Sequence, residues 1–203
     1  MHTYHIIEKG RPLHEANKAL ILLHGRGSTA DDILTLSNEF CDDTFYIAAS
    51  QATGNTWYPY SFLVDESQNE PWLSSAVEVV KRLIDETSQH IPVHQIYLMG
   101  FSQGACLTLE VAARYAQQYA GVVAFTGGLI GKQLAPEKYK GDFRKAKVYI
   151  GNSDIDPHVP VIRSKESKKI MESLGADVTL DVFPGMAHTV SVKEINRVKE
   201  LMF

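Results

Sequence analysis

Ser102 stands where a hydroxyl can become a nucleophile. Residues 96–113 run Ile-Tyr-Leu-Met-Gly-Phe-Ser-Gln-Gly-Ala-Cys-Leu-Thr-Leu-Glu-Val-Ala-Ala, an apolar strand passing through Gly100-Phe101-Ser102-Gln103-Gly104 into an amphipathic helix. A G-x-S-x-G segment between strand and helix is a nucleophile elbow. The sharp turn presents Ser102 at its tip, and the first N–H groups of the following helix, unpaired within it, point at the same spot. Gly100 and Gly104 flank the turn, where a Cβ would meet the neighbouring strand or helix backbone. The chemistry such a serine performs is acyl transfer. It needs a base for the hydroxyl proton and donors for the oxyanion that forms.

The base and its orienting acid are expected in the chain order Ser, Asp or Glu, His. Of the eight histidines, only His158 and His188 follow Ser102 with an acidic residue between. Residues 146–151 read as a buried strand, with the loop Asn152-Ser-Asp-Ile-Asp-Pro-His-Val-Pro160 at its C-terminal end. Residues 177–183 alternate apolar and polar like a strand and lead into Pro184-Gly-Met-Ala-His188. Chemistry in open parallel sheets collects at those C-terminal ends. His188, following a strand of its own, can reach across to Ser102. His158 shares its loop with the acids and is placed to rim the pocket. Asp156 is favoured as the acid over Asp154 because it precedes Pro157, where the loop turns back toward a helix near Val161. Asp154 is expected to bond loop backbone. The Asp156 carboxylate would take the Nδ1 proton of His188 and stabilise the imidazolium.

Residues 18–23 form a further apolar strand ending in His24-Gly25-Arg26-Gly27-Ser28-Thr29. A glycine-containing loop of this kind supplies one oxyanion donor, and the residue after the nucleophile supplies the other. The donors would be the backbone N–H groups of Arg26 and Gln103, leaving both side chains free for other ends such as substrate contact. The same stretch reads G-x-G-x-x-A, a partial dinucleotide fingerprint. That motif wants an acid at the end of the next strand. Here Thr44–Ala49 is followed by Ser50-Gln51, which argues against nucleotide.

Leu23-His24-Gly25-Arg26-Gly27, Gly100-Phe-Ser-Gln-Gly-Ala105, Asp156-Pro-His-Val-Pro160 and Gly185-Met-Ala-His188 together resemble the phospholipase/carboxylesterase family of α/β-hydrolases. That family includes acyl-protein thioesterases and small bacterial carboxylesterases, and the motifs span residues 20 to 190 in the family's order. The resemblance implies a Ser102–Asp156–His188 triad, an oxyanion hole from the Arg26 and Gln103 backbones, and hydrolysis of esters or thioesters without cofactor. The chain departs from the eukaryotic thioesterases at Arg26, where they carry an apolar residue. It departs again at Thr56-Trp-Tyr-Pro-Tyr-Ser-Phe62, which replaces their Trp-Phe-Asp stretch. It is more similar to the bacterial branch.

Strands near 3–7, 19–23, 44–49, 95–99, 121–126, 146–151 and 177–183 alternate with helices near 30–40, 71–90, 103–117, 161–174 and 190–202. This rhythm predicts an α/β fold, a mostly parallel doubly wound sheet of about seven strands flanked by helices. The first strand is weak and suited to an edge. The 203 residues make one domain, 1–203, able to bury about 70% of its unfolded surface. Residues 127–145 leave room for a loop and one helical turn, so no cap domain is expected and the site should be open. A net charge of −4 without a basic cluster argues against nucleic acid or anionic membrane as partners. The opening residues lack the apolar core of a signal peptide, and the longest apolar run, Ala19–Leu23, cannot span a bilayer. Two cysteines make no disulfide framework, so the cytoplasm is the expected compartment. Cys106, one turn beyond Ser102, should be buried under the elbow. Metal-ligand spacing is absent and a homodimer is left open.

The long connection from Gln51 to Asn69 is rich in aromatics, and such loops are usually functional. Its rings should in part pack the loop down. Trp57 or Tyr58 should also line the acyl or alcohol pocket, with Leu129 and Met186. The resulting reading is a cofactor-independent serine hydrolase acting on small-molecule carboxylic esters, with thioesters or lysophospholipids left open as substrates. The alternatives are another activity on the same triad (lactone hydrolase, peptidase or lyase) and a non-catalytic binding protein.

Overall fold

The computed structural model describes all residues 1–203. Strands β1 (Ile6–Gly10), β2 (Lys18–Leu23), β3 (Phe45–Ser50), β4 (Ile96–Phe101), β5 (Gly121–Phe125), β6 (Lys147–Ser153) and β7 (Asp177–Phe183) form one sheet. Their spatial order is β1-β3-β2-β4-β5-β6-β7. Only β1 runs antiparallel, pairing with β3 at the edge. The inner strands are buried on both faces, which is why they read as unbroken apolar runs. In β2, Ala19, Ile21 and Leu23 face one hydrophobic core, while Leu20 and Leu22 face the other.

Five helices cover the faces: α1 (Ala30–Leu34), α2 (Trp72–Ser88), α3 (Gln103–Arg114), α4 (Val161–Ser173) and α5 (Val192–Met202). Among the buried residues of α2, Leu73, Ala76, Val77, Val80, Leu83, Ile84 and Thr87 follow helical spacing, so one stripe packs into the larger core. In α3 every residue from Gln103 to Ala113 is buried. It is the central helix, and it carries the elbow.

Two elements depart from the sequence pattern. The helix expected over 30–40 is α1 followed by a 3-10 turn, Thr35–Glu39. There the Thr35 and Ser37 hydroxyls donate to the carbonyls of Asp32 and Leu34, competing with the helical ladder. The first strand lies at 6–10 rather than 3–7 because its ladder with β3 continues through Glu8 and Lys9, charges an edge strand tolerates.

Residues 127–145 hold a single 3-10 turn, Pro136–Lys138, and no inserted domain. A buried carboxylate ties this segment down. Glu110 of α3 is fully buried and accepts from Arg114 Nε at 2.7 Å, Lys138 Nζ at 2.8 Å and the Ile130 amide at 3.0 Å. Glu66 closes the network from the aromatic loop, pairing with both Arg114 and Lys138. Glu110→Ala would leave two half-buried cations sharing one carboxylate. We expect a loss of about 3 kcal/mol, read as a melting temperature lower by roughly 6–12 °C. An unchanged melting temperature would mean that the network contributes nothing.

Candidate active site

The elbow at the end of β4 is built by close approach of backbones. A Cβ at Gly100 would lie 2.5 Å from the Gly104 carbonyl, and one at Gly104 would lie 2.1 Å from the Leu23 carbonyl oxygen. Both positions therefore require glycine, and the strand and helix pack tightly enough to force the turn. Ser102 takes φ 55° and ψ −118°, a left-handed conformation that a non-glycine residue adopts only when its surroundings impose it. Its amide donates to the Phe125 carbonyl at 3.0 Å, which pins the turn to β5. Beneath it, Cys106 is 2% exposed. Burial pushes the Cys106 thiol up to about 12, so it stays protonated at neutral pH.

Two loops at the C-terminal ends of β6 and β7 bring a carboxylate and an imidazole to this serine. His188 Nε2 lies 2.8 Å from Ser102 Oγ, and His188 Nδ1 lies 2.6 Å from Asp156 Oδ2. The other carboxylate oxygen of Asp156 accepts from the amides of His158 and Val159, each at 2.8 Å. The spacing Asp-Pro-His-Val thus wraps a turn around the carboxylate. Burial alone would raise the Asp156 pKa. The hydrogen bonds from the His188 ring and the two amides outweigh it and hold the carboxyl below its usual value. Asp154 points elsewhere and accepts the Gly185 amide at 2.8 Å, stitching the two loops together. The His188 ring is flanked by Phe101 and by His158, with centroids 5.1 and 4.9 Å away. Neither neighbour's contact with His188 was foreseen.

The loop after β2 lies against Ser102; a Cβ on Gly25 would come within 3.5 Å of the serine Cβ. The Arg26 amide makes no hydrogen bond within the protein. Gln103 supplies the first amide of α3, which has no helical partner. Two unpaired amides therefore lie in the segments that pack around Ser102. His24, missed in the sequence, shapes this loop from inside the core. Its Nδ1 contacts the Gly25 carbonyl at 2.7 Å, and its Nε2 accepts the Ala52 amide at 3.1 Å. Burial lowers its pKa, consistent with the neutral tautomer these partners require.

A cleft of about 440 Å³ opens beside Ser102, lined in part by Tyr58, Phe62, Cys106, His158 and Val159. Of the residues expected there, Tyr58 and His158 line it. Trp57 does not: it is fully buried, with Nε1 donating to the His24 carbonyl at 2.9 Å, and it props the Arg26 loop from below. Leu129 is likewise buried, its amide and carbonyl held by Ser167 and Arg163 of α4. Met186 lies outside the lining. Phe62 and Val159 take their places; both sat in segments already marked by pattern, the aromatic loop and the Asp-Pro-His-Val turn. The side chains of Arg26 and Gln103, expected to be free for substrate, are instead bonded to residues 56–60. Geometrically, the arrangement can deprotonate a hydroxyl and meet a developing oxyanion with two N–H groups.

The sequence pattern of the phospholipase/carboxylesterase family matches residues 2–202. A solved phospholipase/carboxylesterase from Dyadobacter fermentans is 49% identical with a TM-score of 0.97, covering 99% of this chain and 97% of that one. Acyl-protein thioesterase 1 of Debaryomyces hansenii is 27% identical over 203 residues, covering 89% of this chain and 88% of the relative. The Bacillus cereus carboxylesterase, 18% identical, superposes with a TM-score of 0.78 over 97% of this chain and 92% of that one, a likeness of fold alone. With the match running almost end to end, the chain belongs to the phospholipase/carboxylesterase family and is a carboxylic ester hydrolase on an α/β-hydrolase fold.

Proposed function

We propose that the protein hydrolyses small carboxylic esters through an acyl-enzyme on Ser102, with His188 as base and Asp156 as its orienting acid. The observation that carries this reading is the unbroken hydrogen-bond chain Ser102–His188–Asp156, assembled from loops after three different strands. Ser102 Oγ attacks the acyl carbon as its proton passes to His188 Nε2. The oxyanion is met by the Arg26 and Gln103 amides, and the imidazolium is stabilised by Asp156. Collapse breaks the bond to the leaving alcohol, which takes the proton from Nε2. Water then repeats the sequence and releases the acid. A thioester would follow the same path with a thiol leaving, a second reading favoured by the thioesterase name of the Debaryomyces hansenii relative. No helix is long and apolar enough to cross a membrane. Residues 1–203 act as one catalytic domain in the cytoplasm.

The test is covalent. A fluorophosphonate probe should attach to native protein, and peptide mapping should locate it on Ser102. Attachment elsewhere, or none on a protein that hydrolyses p-nitrophenyl esters, would sink the assignment. Across acetyl to palmitoyl esters, each carbon the cleft covers should raise kcat/KM by up to about fourfold, the equivalent of about 0.8 kcal/mol. With no cap over the site, that rise should stop at medium chain length.

A further inference from the structure

The two residues proposed above to meet the oxyanion share more than their unpaired amides. Arg26 sends Nη1 to the Pro59 carbonyl at 2.9 Å and Nη2 to the carbonyls of Tyr58 and Tyr60 at 2.9 and 2.8 Å. Gln103 grips the same strip from inside. Its Oε1 accepts the Trp57 amide at 3.0 Å and the Thr56 hydroxyl at 3.2 Å, and its Nε2 donates to the Tyr58 carbonyl at 2.8 Å. A backbone N–H can only donate, so the Trp57 contact fixes which way the Gln103 amide faces. One acceptor, the Tyr58 carbonyl, is therefore held by both side chains at once. The ring of that same Tyr58 lines the cleft.

We propose that Arg26 and Gln103 are positioning residues, whose side chains bolt the aromatic strip 56–60 to the oxyanion donors so that cleft wall and donors form one rigid unit. This rests on the Ser102 reading above. The physical need is plain. Arg26 sits in an exposed loop, and an amide that drifts by about 1 Å from the oxyanion can cost on the order of 10²-fold in rate. A planar guanidinium spanning three successive carbonyls restrains that loop in a way a flexible ammonium cannot. Trp57 completes the frame through its bond to the His24 carbonyl, two residues before Arg26.

The test uses the full chain, a p-nitrophenyl butyrate assay and two inhibitors. Butylboronic acid forms a boron–oxygen bond to Ser102 as the serine proton moves to His188, giving a tetrahedral adduct that needs the donors. Butyrate binds without forming one. Arg26→Ala should lower kcat by on the order of 10²-fold with KM changed by less than about threefold, the pattern of an interaction made only in the transition state. Boronate inhibition should weaken in step while butyrate inhibition stays as it was. Arg26→Lys should fall between. Gln103→Ala should lose a similar factor, and the double variant should lose about as much as either single one, because both act through the Tyr58 carbonyl. A loss confined to KM, an unchanged boronate constant, or multiplying losses in the double variant would each overturn the proposal. Should Ser102→Ala keep its turnover, the Ser102 reading itself has failed; if only the Arg26 and Gln103 effects are missing, that reading stands and this one falls.

Discussion

Ser102→Ala is expected to lower kcat by about 10⁴–10⁶-fold while leaving the fold intact. The size follows from the absence of a substitute at that point in space. Cys106 lines the same cleft, yet its thiol is pushed up to about 12 by burial and stays protonated. Tyr58 is fully buried, its phenol held well above its ordinary value by loss of solvation. Neither can deliver a nucleophile. What remains in the variant is the pair of amides and the cleft, which polarise and bind an ester without attacking it. The Ser102 side chain makes one bond, to His188, so the melting temperature should hardly move. Retained turnover, or retained phosphonate labelling, would place the nucleophile elsewhere. Cys106→Ala should keep its chemistry.

Asp156→Asn should lose about 10⁴-fold in kcat. Asp156 gives one oxygen to two backbone amides and the other to His188. An asparagine would keep its carbonyl on the amides and turn its NH₂ toward Nδ1. That stabilises the tautomer with hydrogen on Nε2, which cannot accept the serine proton. Asp154→Asn can keep its carbonyl on the Gly185 amide and makes no bond to His188, so it should lose far less. Acid titration provides a second check. The folded pKa of Asp156 lies below the unfolded value of about 3.9. Its contribution to stability is therefore complete above that unfolded value and is lost as pH falls through the folded one. Between pH 5 and pH 2 wild type should lose more stability than Asp156→Asn. A larger kinetic loss at position 154 than at position 156 would reassign the acid.

The path of the chain through the sheet was legible because it rests on local pattern: apolar runs in the inner strands, alternation in β7, and helical spacing as regular as that of α2. The elbow was legible for a different reason. Glycine at 100 and 104 is demanded by backbone contacts of 2.1–2.5 Å, a constraint strong enough to leave a mark on residue type. Asp156 could be singled out through Pro157 because the turn it caps is also local. What stayed hidden depends on long-range packing. Trp57 and Leu129 carry apolar side chains that suit a cleft wall or a core equally, and only their partners, the His24 carbonyl and the α4 side chains Arg163 and Ser167, decide between them. Arg26 looked free for the same reason. Its three carbonyl partners lie more than thirty residues away, and nothing in a carbonyl's residue type advertises it.

The burial of the sheet is uneven, and the site straddles the gradient. Ser102 rides on α3, buried along nearly all of its length, whereas β7, which launches His188, is an edge strand with only Val178 fully shielded. Opening free energies in a protein follow such differences, from near zero at loosely packed margins to the global value at the centre. Ser102 and the Gln103 amide thus belong to the most durable part of the molecule, and His188 to one of its most easily released. Thermal inactivation would begin as a reversible departure of one histidine from an otherwise intact oxyanion site, well before the central helix gives way.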